Sequence, residues 1–282
     1  MRRLWIVVLL VVASALPASG QIFDQTYLDT KGLSDRFTLN LGSFITTINT
    51  NASASGDVSD EEVDLEDDLG LVPDIGEFRL YGKYRFARKH ALTFGYWATK
   101  RTAESTLERD IEWHDVVYPA SVTLRTESGY DNIKLGYRYS FVNNGTVDFG
   151  ASAGFSVLQF DIALEGEARV TTPEGDVSTE QRREESDLIA PVPVVGLDVE
   201  WTLRPRLFLR GGVEFFKANY QEYTGELLDG VVGLDWFPWK HVGLGAAYNY
   251  VDVKVTREGD LVDEISVNYK YDGAFVYLRL AY

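Results

Sequence analysis

"FVYLRLAY", Phe275 to Tyr282, is the last stretch of the chain, and its residues alternate. Val276, Leu278, Leu280 and Tyr282 share one parity with the preceding Ala274, while Phe275, Tyr277 and Arg279 take the other. Period two is the mark of an extended strand with two unlike faces. Such alternation describes a soluble sandwich or barrel, whose apolar face is a protein core, as well as a membrane wall, so the two faces must be compared. Ala274 to Tyr282 covers nine residues, close to the ~9–11 that a tilted strand uses to cross a bilayer core.

The same alternation recurs upstream. "FRLYGKYRF" sets Phe78, Leu80, Tyr84 and Phe86 against Arg79, Tyr81, Lys83 and Arg85, and "IKLGYRYSF" sets Ile133, Leu135, Tyr137 and Tyr139 against Lys134 and Arg138. "VDFGASAGF", "LDGVVGLDW" and "VGLGAAYNY" repeat it. The polar parity mixes glycine, alanine and serine with charges of both signs. Arg79, Lys83, Arg85, Lys134, Arg138, Arg210 and Arg279 stand against Asp148, Asp198, Glu200, Glu214, Asp229 and Asp235. Small residues with nearly balanced charge suit a narrow interior filled by ion pairs. The apolar parity, with Tyr and Trp near its ends, suits a lipid-facing wall with interfacial aromatic girdles.

Ten strands can be placed, at 36–48, 77–87, 91–104, 120–142, 146–164, 187–202, 206–220, 225–237, 241–256 and 264–282. The turns "ARKH", "VNNG", "TLRPR" and "FPWKH" are short and carry turn-forming residues. Connections 49–76, 105–119, 165–186, 221–224 and 257–263 are read as the longer, polar ones of the other end, so that long and short alternate. Trp201, Trp236, Phe237 and Trp239 gather at the short-turn side, as a headgroup-level belt. The fold class expected is all-β: an antiparallel up-and-down transmembrane β-barrel of about ten strands, with eight or twelve left open.

At Ala274, Val276, Leu278, Leu280 and Tyr282 the chain resembles bacterial outer-membrane β-barrel proteins, small barrels of the OmpA-like or opacity type. The resemblance extends as pattern over the whole chain after residue 20. It implies that these five residues are read by the barrel-assembly machinery, and that the partners include outer-membrane lipids and lipopolysaccharide.

The other end agrees. "MRRLWIVVLLVVASALPASG" has a basic start, an apolar run from Leu4 to Leu16 and small residues before Gln21, the pattern of a secretory signal peptide. Residues 1–20 are expected to be cleaved, leaving one barrel domain over 21–282 in the bacterial outer membrane. Loss of Arg2 and Arg3 takes the formal charge from −16 to −18. There is no cysteine, which excludes disulfides, thiolate metal sites and an acylated lipoprotein. The acidity argues against nucleic acid as a partner.

Function is less legible. A ten-stranded lumen is narrow, and Tyr81, Trp97, Phe208, Phe275 and Tyr277 on the inward parity should fill it further. "GASAG" matches the G-x-S-x-G string, but Ser152 lies within a predicted strand, without the strand-to-helix turn that exposes a nucleophile. His90 and His241 fall in short turns; His114, beside Glu112 and Asp115, is the candidate for an outer-rim hydrolase. No cofactor is expected, with Ca²⁺ or Mg²⁺ at the surface the one possibility. Asp57, Asp60, Glu61, Glu62, Asp64, Glu66, Asp67 and Asp68 crowd the first outer loop without a lysine or arginine, and hard divalent cations take carboxylate oxygens. Pro191 and Pro193, two apart in a predicted strand, would remove two ladder bonds from one seam. Either they lie beyond the membrane near the strand's outer end, or they weaken the wall so that a lipid or hydrophobic solute enters sideways. The role expected is structural or surface-interactive, without enzymatic activity; a narrow channel or lateral conduit for small hydrophobic molecules is the alternative.

Overall fold

The computed structural model describes residues 35–54, 62–71, 77–113, 116–171, 177–220, 223–257 and 265–282. Thirteen strands run through them: β1 (Phe37–Ala54), β2 (Val63–Asp64), β3 (Glu77–Ala87), β4 (His90–Thr106), β5 (Ile111–Trp113), β6 (Val116–Tyr118), β7 (Thr123–Asn143), β8 (Val147–Thr171), β9 (Val177–Arg204), β10 (Leu207–Tyr220), β11 (Tyr223–Trp236), β12 (Val242–Arg257) and β13 (Ile265–Ala281). All but β2, β5 and β6 form one closed antiparallel wall of ten strands, each paired with its neighbours in order along the chain. β13 closes the wall on β1, from Thr38↔Ala281 to Ala54↔Ile265. At the seam's end Phe37 and Tyr282 exchange backbone hydrogen bonds of 2.8 Å in both directions. Closure leaves no row of unpaired amides to face hydrocarbon, which is the condition for a sheet to span a bilayer.

Near the short turns, the periplasmic end in barrels of this kind, alternation places apolar residues outside. Leu135, Phe155 and Val276 are 62, 61 and 57% exposed. Further out, the same strands reverse their polarity. β13 turns Ala274, Val276 and Leu278 outward in its lower part, but Lys270 outward with Tyr271, Tyr269 and Val267 inward in its upper part. β12 likewise turns Leu244 and Tyr248 outward below, and buries Val251, Val253 and Val255 above. The outer half therefore has water outside and an apolar core inside, as a soluble β-protein does.

This reversal explains the one systematic error of the sequence reading. The sequence places β8 and β9 at 146–164 and 187–202, with 165–186 as a polar connection between them. Instead β8 runs on to Thr171 and β9 begins at Val177, because Leu164 and Ala168 face in while Glu165 and Glu167 face out. The connection at 221–224 is also no long loop: Tyr220 and Tyr223 already pair across it. Phe237 does not join the aromatic girdle. It is buried, edge-on to Phe208 at 5.6 Å, and closes the periplasmic mouth, whereas Trp201, Trp236 and Trp239 stay exposed.

Candidate functional site

The lower lumen is a lattice of ion pairs. Lys83 meets Glu200 at 3.1 Å, Lys134 meets Asp229 at 2.6 Å and also Glu214, and Arg138 meets Asp148 at 3.1 Å. Arg138 Nε also donates to Asp198 at 2.7 Å, and Arg85 reaches Asp148 from the other side. Arg279 bridges Asp235 at 2.6 Å and Glu200 at 3.1 Å, and Arg210 shares Asp235 at 2.9 Å. Asp148 and Asp235 are fully buried. A charge in that position is tolerable only when partners satisfy it, so the mixed-sign parity seen in the sequence is a set of mutual neutralisations. Glycine is required beside them: a Cβ on Gly245 would lie 2.1 Å from the Tyr277 ring.

Above the lattice comes an aromatic layer. The Arg79 guanidinium sits 4.6 Å from the Trp97 ring, 4.8 Å from Phe44 and 5.5 Å from Tyr271, and donates to Asn249 Oδ1 and the Tyr271 hydroxyl. Tyr130 stacks on Tyr269 at 4.6 Å and packs on Phe160 at 4.9 Å. Between the two layers lies a chamber of about 150 Å³. The Lys83–Glu200 pair borders both this chamber and a smaller pocket at the periplasmic mouth, which reaches Phe208 and Phe237.

The outer core is closed by pieces that the sequence reading took for loop. β2 pairs with β1 at Asn51↔Asp64 and Ala52↔Val63, and the turn after it buries Leu65, Leu69 and Leu71. The β5–β6 hairpin adds Trp113 and Tyr118, whose polar ends are satisfied: Trp113 Nε1 donates to Ser186 Oγ at 2.9 Å and Tyr118 Oη to the Leu164 carbonyl at 3.1 Å. Burial pushes the Tyr118 phenol up from its ordinary value. Asp110, at the foot of that hairpin, is held below the usual carboxylate range by the backbone N–H of Ala120 and by Arg169.

Of the eight acidic residues in the first loop, Asp57, Asp60 and Glu61 lie outside the described residues. Asp64 Oδ1 accepts from the N–H groups of Glu66 (2.9 Å) and Asp67 (2.8 Å), fixing the turn. Glu66 pairs with Arg101, and Asp68 pairs with Arg109 at 2.6 Å. Glu62 and Asp67 remain exposed. The cations absent from the loop itself thus arrive from β4 and the segment after it. The apolar residues interleaved with the carboxylates, Val63, Leu65, Leu69 and Leu71, were the missed signal, hidden by the charge run. Among the described residues no group of three or more His, Cys, Asp or Glu side chains is arranged to hold a metal.

Pro191 and Pro193 lie mid-strand, facing outward, and β9 continues outward from them to Val177. The β8–β9 register runs unbroken through Phe155↔Pro193 and Val157↔Pro191. Proline has no N–H, so both must occupy ladder positions that exchange no hydrogen bonds, with their nitrogens turned toward β10. On that side pairing runs up to Val195↔Phe215 and stops. One step further in register, the Lys217 carbonyl would need an N–H from Pro193. Among the described residues β9 has no strand partner on that side beyond Val195.

The remaining candidates are structural where they can be seen. Ser152 is paired with Arg138 and Gly196 inside β8. His90 touches the Tyr137 hydroxyl among Phe86, Tyr137 and Tyr139, at the lower girdle. His241 Nδ1 lies 2.8 Å from the Ala281 carbonyl and its ring stacks on Tyr282 at 4.4 Å. His114 and Asp115 lie outside the described residues. Ala274, Val276 and Leu278 are exposed on the lipid face, and Leu280 is half-buried.

No protein-family model and no curated protein matches the chain. Solved structures do. The outer-membrane protease OmpT of Escherichia coli is similar at 12% identity, over 90% of this chain and 100% of that one, with a TM-score of 0.57. The attachment invasion locus protein Ail of Yersinia pestis is 10% identical over 88% and 100%, with a TM-score of 0.30. The toluene transporter TodX of Pseudomonas putida is 9% identical over 93% and 95%, with a TM-score of 0.35. The likeness to OmpT is one of fold, the bacterial outer-membrane β-barrel; the other two superpose too loosely to add to it.

Proposed function

We propose that this outer-membrane β-barrel does not conduct, and that it serves as a structural and surface-interacting protein. Its outer half is a solid head available for adhesion, for membrane integrity, and for contact with outer-leaflet lipids and lipopolysaccharide. The observation that supports this reading is the double closure of the lumen, by an ionic and aromatic layer below and by a packed apolar core above. Cleavage after residue 20 and recognition of Ala274 to Tyr282 by the assembly machinery belong to the same reading. Glu62 and Asp67, with Asp57, Asp60 and Glu61, are the proposed carboxylates for a divalent cation at the lipopolysaccharide surface; calcium calorimetry on the Glu62→Gln/Asp67→Asn variant tests it, and heat equal to wild type ends it. In planar bilayers the wild-type barrel should give no single-channel steps. Its unfolding midpoint should be higher in lipopolysaccharide vesicles than in zwitterionic ones; steady conductance, or equal midpoints, would overturn the proposal.

A second reading, a lateral conduit for small hydrophobic molecules, is supported by one observation: the β9–β10 ladder ends at the upper margin of the lipid-facing belt. Uptake of a small hydrophobic solute that is unchanged in a Pro191→Val/Pro193→Val variant would remove it.

A further inference from the structure

The basic side chains of this acidic chain are not evenly engaged. In the lumen and the outer head they meet carboxylates: Lys83 meets Glu200, Arg109 meets Asp68 and Arg183 meets Glu185. At the short-turn end that pattern stops. Arg36, Arg88, Lys89, Arg204 and Arg206 form no ion pair among the described residues. Lys89 lies 5.8 Å from the Tyr139 ring, and the four short turns contain no acidic residue. A chain of formal net charge −16 thus presents a basic rim to the periplasmic leaflet.

Arg206 carries a second signal. It sits in the two-residue turn between β9 and β10, after Pro205, with a φ of +69°. That is the left-handed region, where glycine costs least and a side chain is held at a cost. The β7–β8 turn meets the same demand with Gly145, at +84°. An arginine carried in such a position points to a use for its side chain rather than for its backbone.

The surroundings show what that use is. The Phe237 N–H donates to the Arg206 carbonyl at 2.9 Å, which sets this turn against the β11–β12 turn. On the membrane side the outward wall is apolar: Trp201 pairs with Leu209, and Trp236 with Leu207, on either side of β10. Both indoles are exposed, as are Arg204 and Trp239. Guanidinium groups bind phosphate through paired N–H donors, and interfacial indoles lie at headgroup level with their bodies against acyl chains. A zwitterionic headgroup brings its own cation to this basic cluster, whereas an anionic one brings only the charge that the cluster lacks.

We infer that this part of the rim is a binding site for an anionic phospholipid of the periplasmic leaflet, with Arg204 and Arg206 on its phosphate and Trp201 and Trp236 along its acyl chains. The site faces the leaflet opposite to the proposed surface role, and it stands or falls separately from that role.

The exposed tryptophans serve as reporters, because Trp97 and Trp113 are buried. In phosphatidylcholine nanodiscs, phosphatidylglycerol brominated near its headgroup should quench their fluorescence more than equally brominated phosphatidylcholine. The relative affinity should favour phosphatidylglycerol about fivefold for each engaged cation, the worth of one basic side chain near an anionic surface. Added salt should shrink that preference, since the charges are exposed. Arg204→Gln/Arg206→Gly should bring the two lipids close to parity. Glycine suits the left-handed turn, so a merely structural role for Arg206 predicts no change in lipid preference. Arg182→Gln, in the outer head, should leave the preference as in wild type. Heat-dependent gel mobility reports whether each variant folds; if the double variant does not, Arg204→Gln alone decides, with an expected loss of about fivefold. Equal quenching by the two lipids in wild type overturns the inference. A preference that survives loss of the rim arginines, or that falls as far in Arg182→Gln, overturns it equally.

Discussion

The membrane-embedded half of this barrel and its outer head are built by the same strands with opposite polarity. In β12, Leu244 faces lipid and Asn249 faces the lumen, yet a few residues on Val251 and Val253 face the interior and Lys254 faces water. Nothing in the backbone changes at that boundary; the medium outside does. Below it, hydrocarbon makes an apolar exterior favourable, and the interior must then neutralise its own charges. Above it, water takes the charged side chains and the interior can pack as a protein core. Arg79, ringed by Trp97, Phe44 and Tyr271, sits where one regime hands over to the other.

Several substitutions would break or sharpen this contrast. The largest effect is expected below. Asp148→Ala leaves Arg85 and Arg138 buried with a lost partner, and should cost ~3–5 kcal/mol in urea unfolding from lipid vesicles. In the head, Leu65→Ala removes a fully buried side chain and should cost ~2–5 kcal/mol. Its cost should also appear as faster hydrogen exchange confined to β2 and the upper part of β1, because the lower lattice does not depend on it. Leu278→Arg puts a charge on the lipid face and should cost ~2–4 kcal/mol near the midplane. The mirror change on the same strand, Lys270→Leu, should stay within ~0.5 kcal/mol. Equal costs for these two would mean that the polarity boundary is misplaced. Smallest of all is Lys217→Ala. Its partner Glu226 is held below the usual carboxylate range by the Lys217 hydrogen bond and charge. A lowered folded-state value stabilises at neutral pH and is lost as pH falls through it. Wild-type and variant unfolding midpoints should therefore converge in acid and, because the pair is exposed, in high salt.

How much of this was legible varies by region. The ten wall strands, the closing strand with Ala274 to Leu280 outward, and the ionic lumen all follow from alternation, because below the boundary one rule holds: apolar residues face out. That rule misreads β8 beyond Leu164 and β9 before Asp187, where Glu165 and Glu167 look like loop residues although they are the outer face of a strand. β2 and the turn after it were masked differently. A dense run of carboxylates dominates residues 56–71, and only the partners Arg101 and Arg109, distant in sequence, show that part of this run is tied down. Pro191 and Pro193 announced a missing pair of donors, but not which neighbour would lose them; the unbroken β8 register decides that it is β10.

By itself, then, the sequence determined a strand-built wall of about ten passes, its lipid-facing parity and an interior of balanced charge, while the closure of β13 on β1 fixed the number at ten. Each is a local consequence of which side chains alternate. Tertiary structure alone decided where the alternation reverses its meaning, which carboxylate meets which guanidinium, and which guanidinium meets none. Those outcomes depend on register and closure: residues far apart in sequence become neighbours only when ten strands have set their stagger around a common axis.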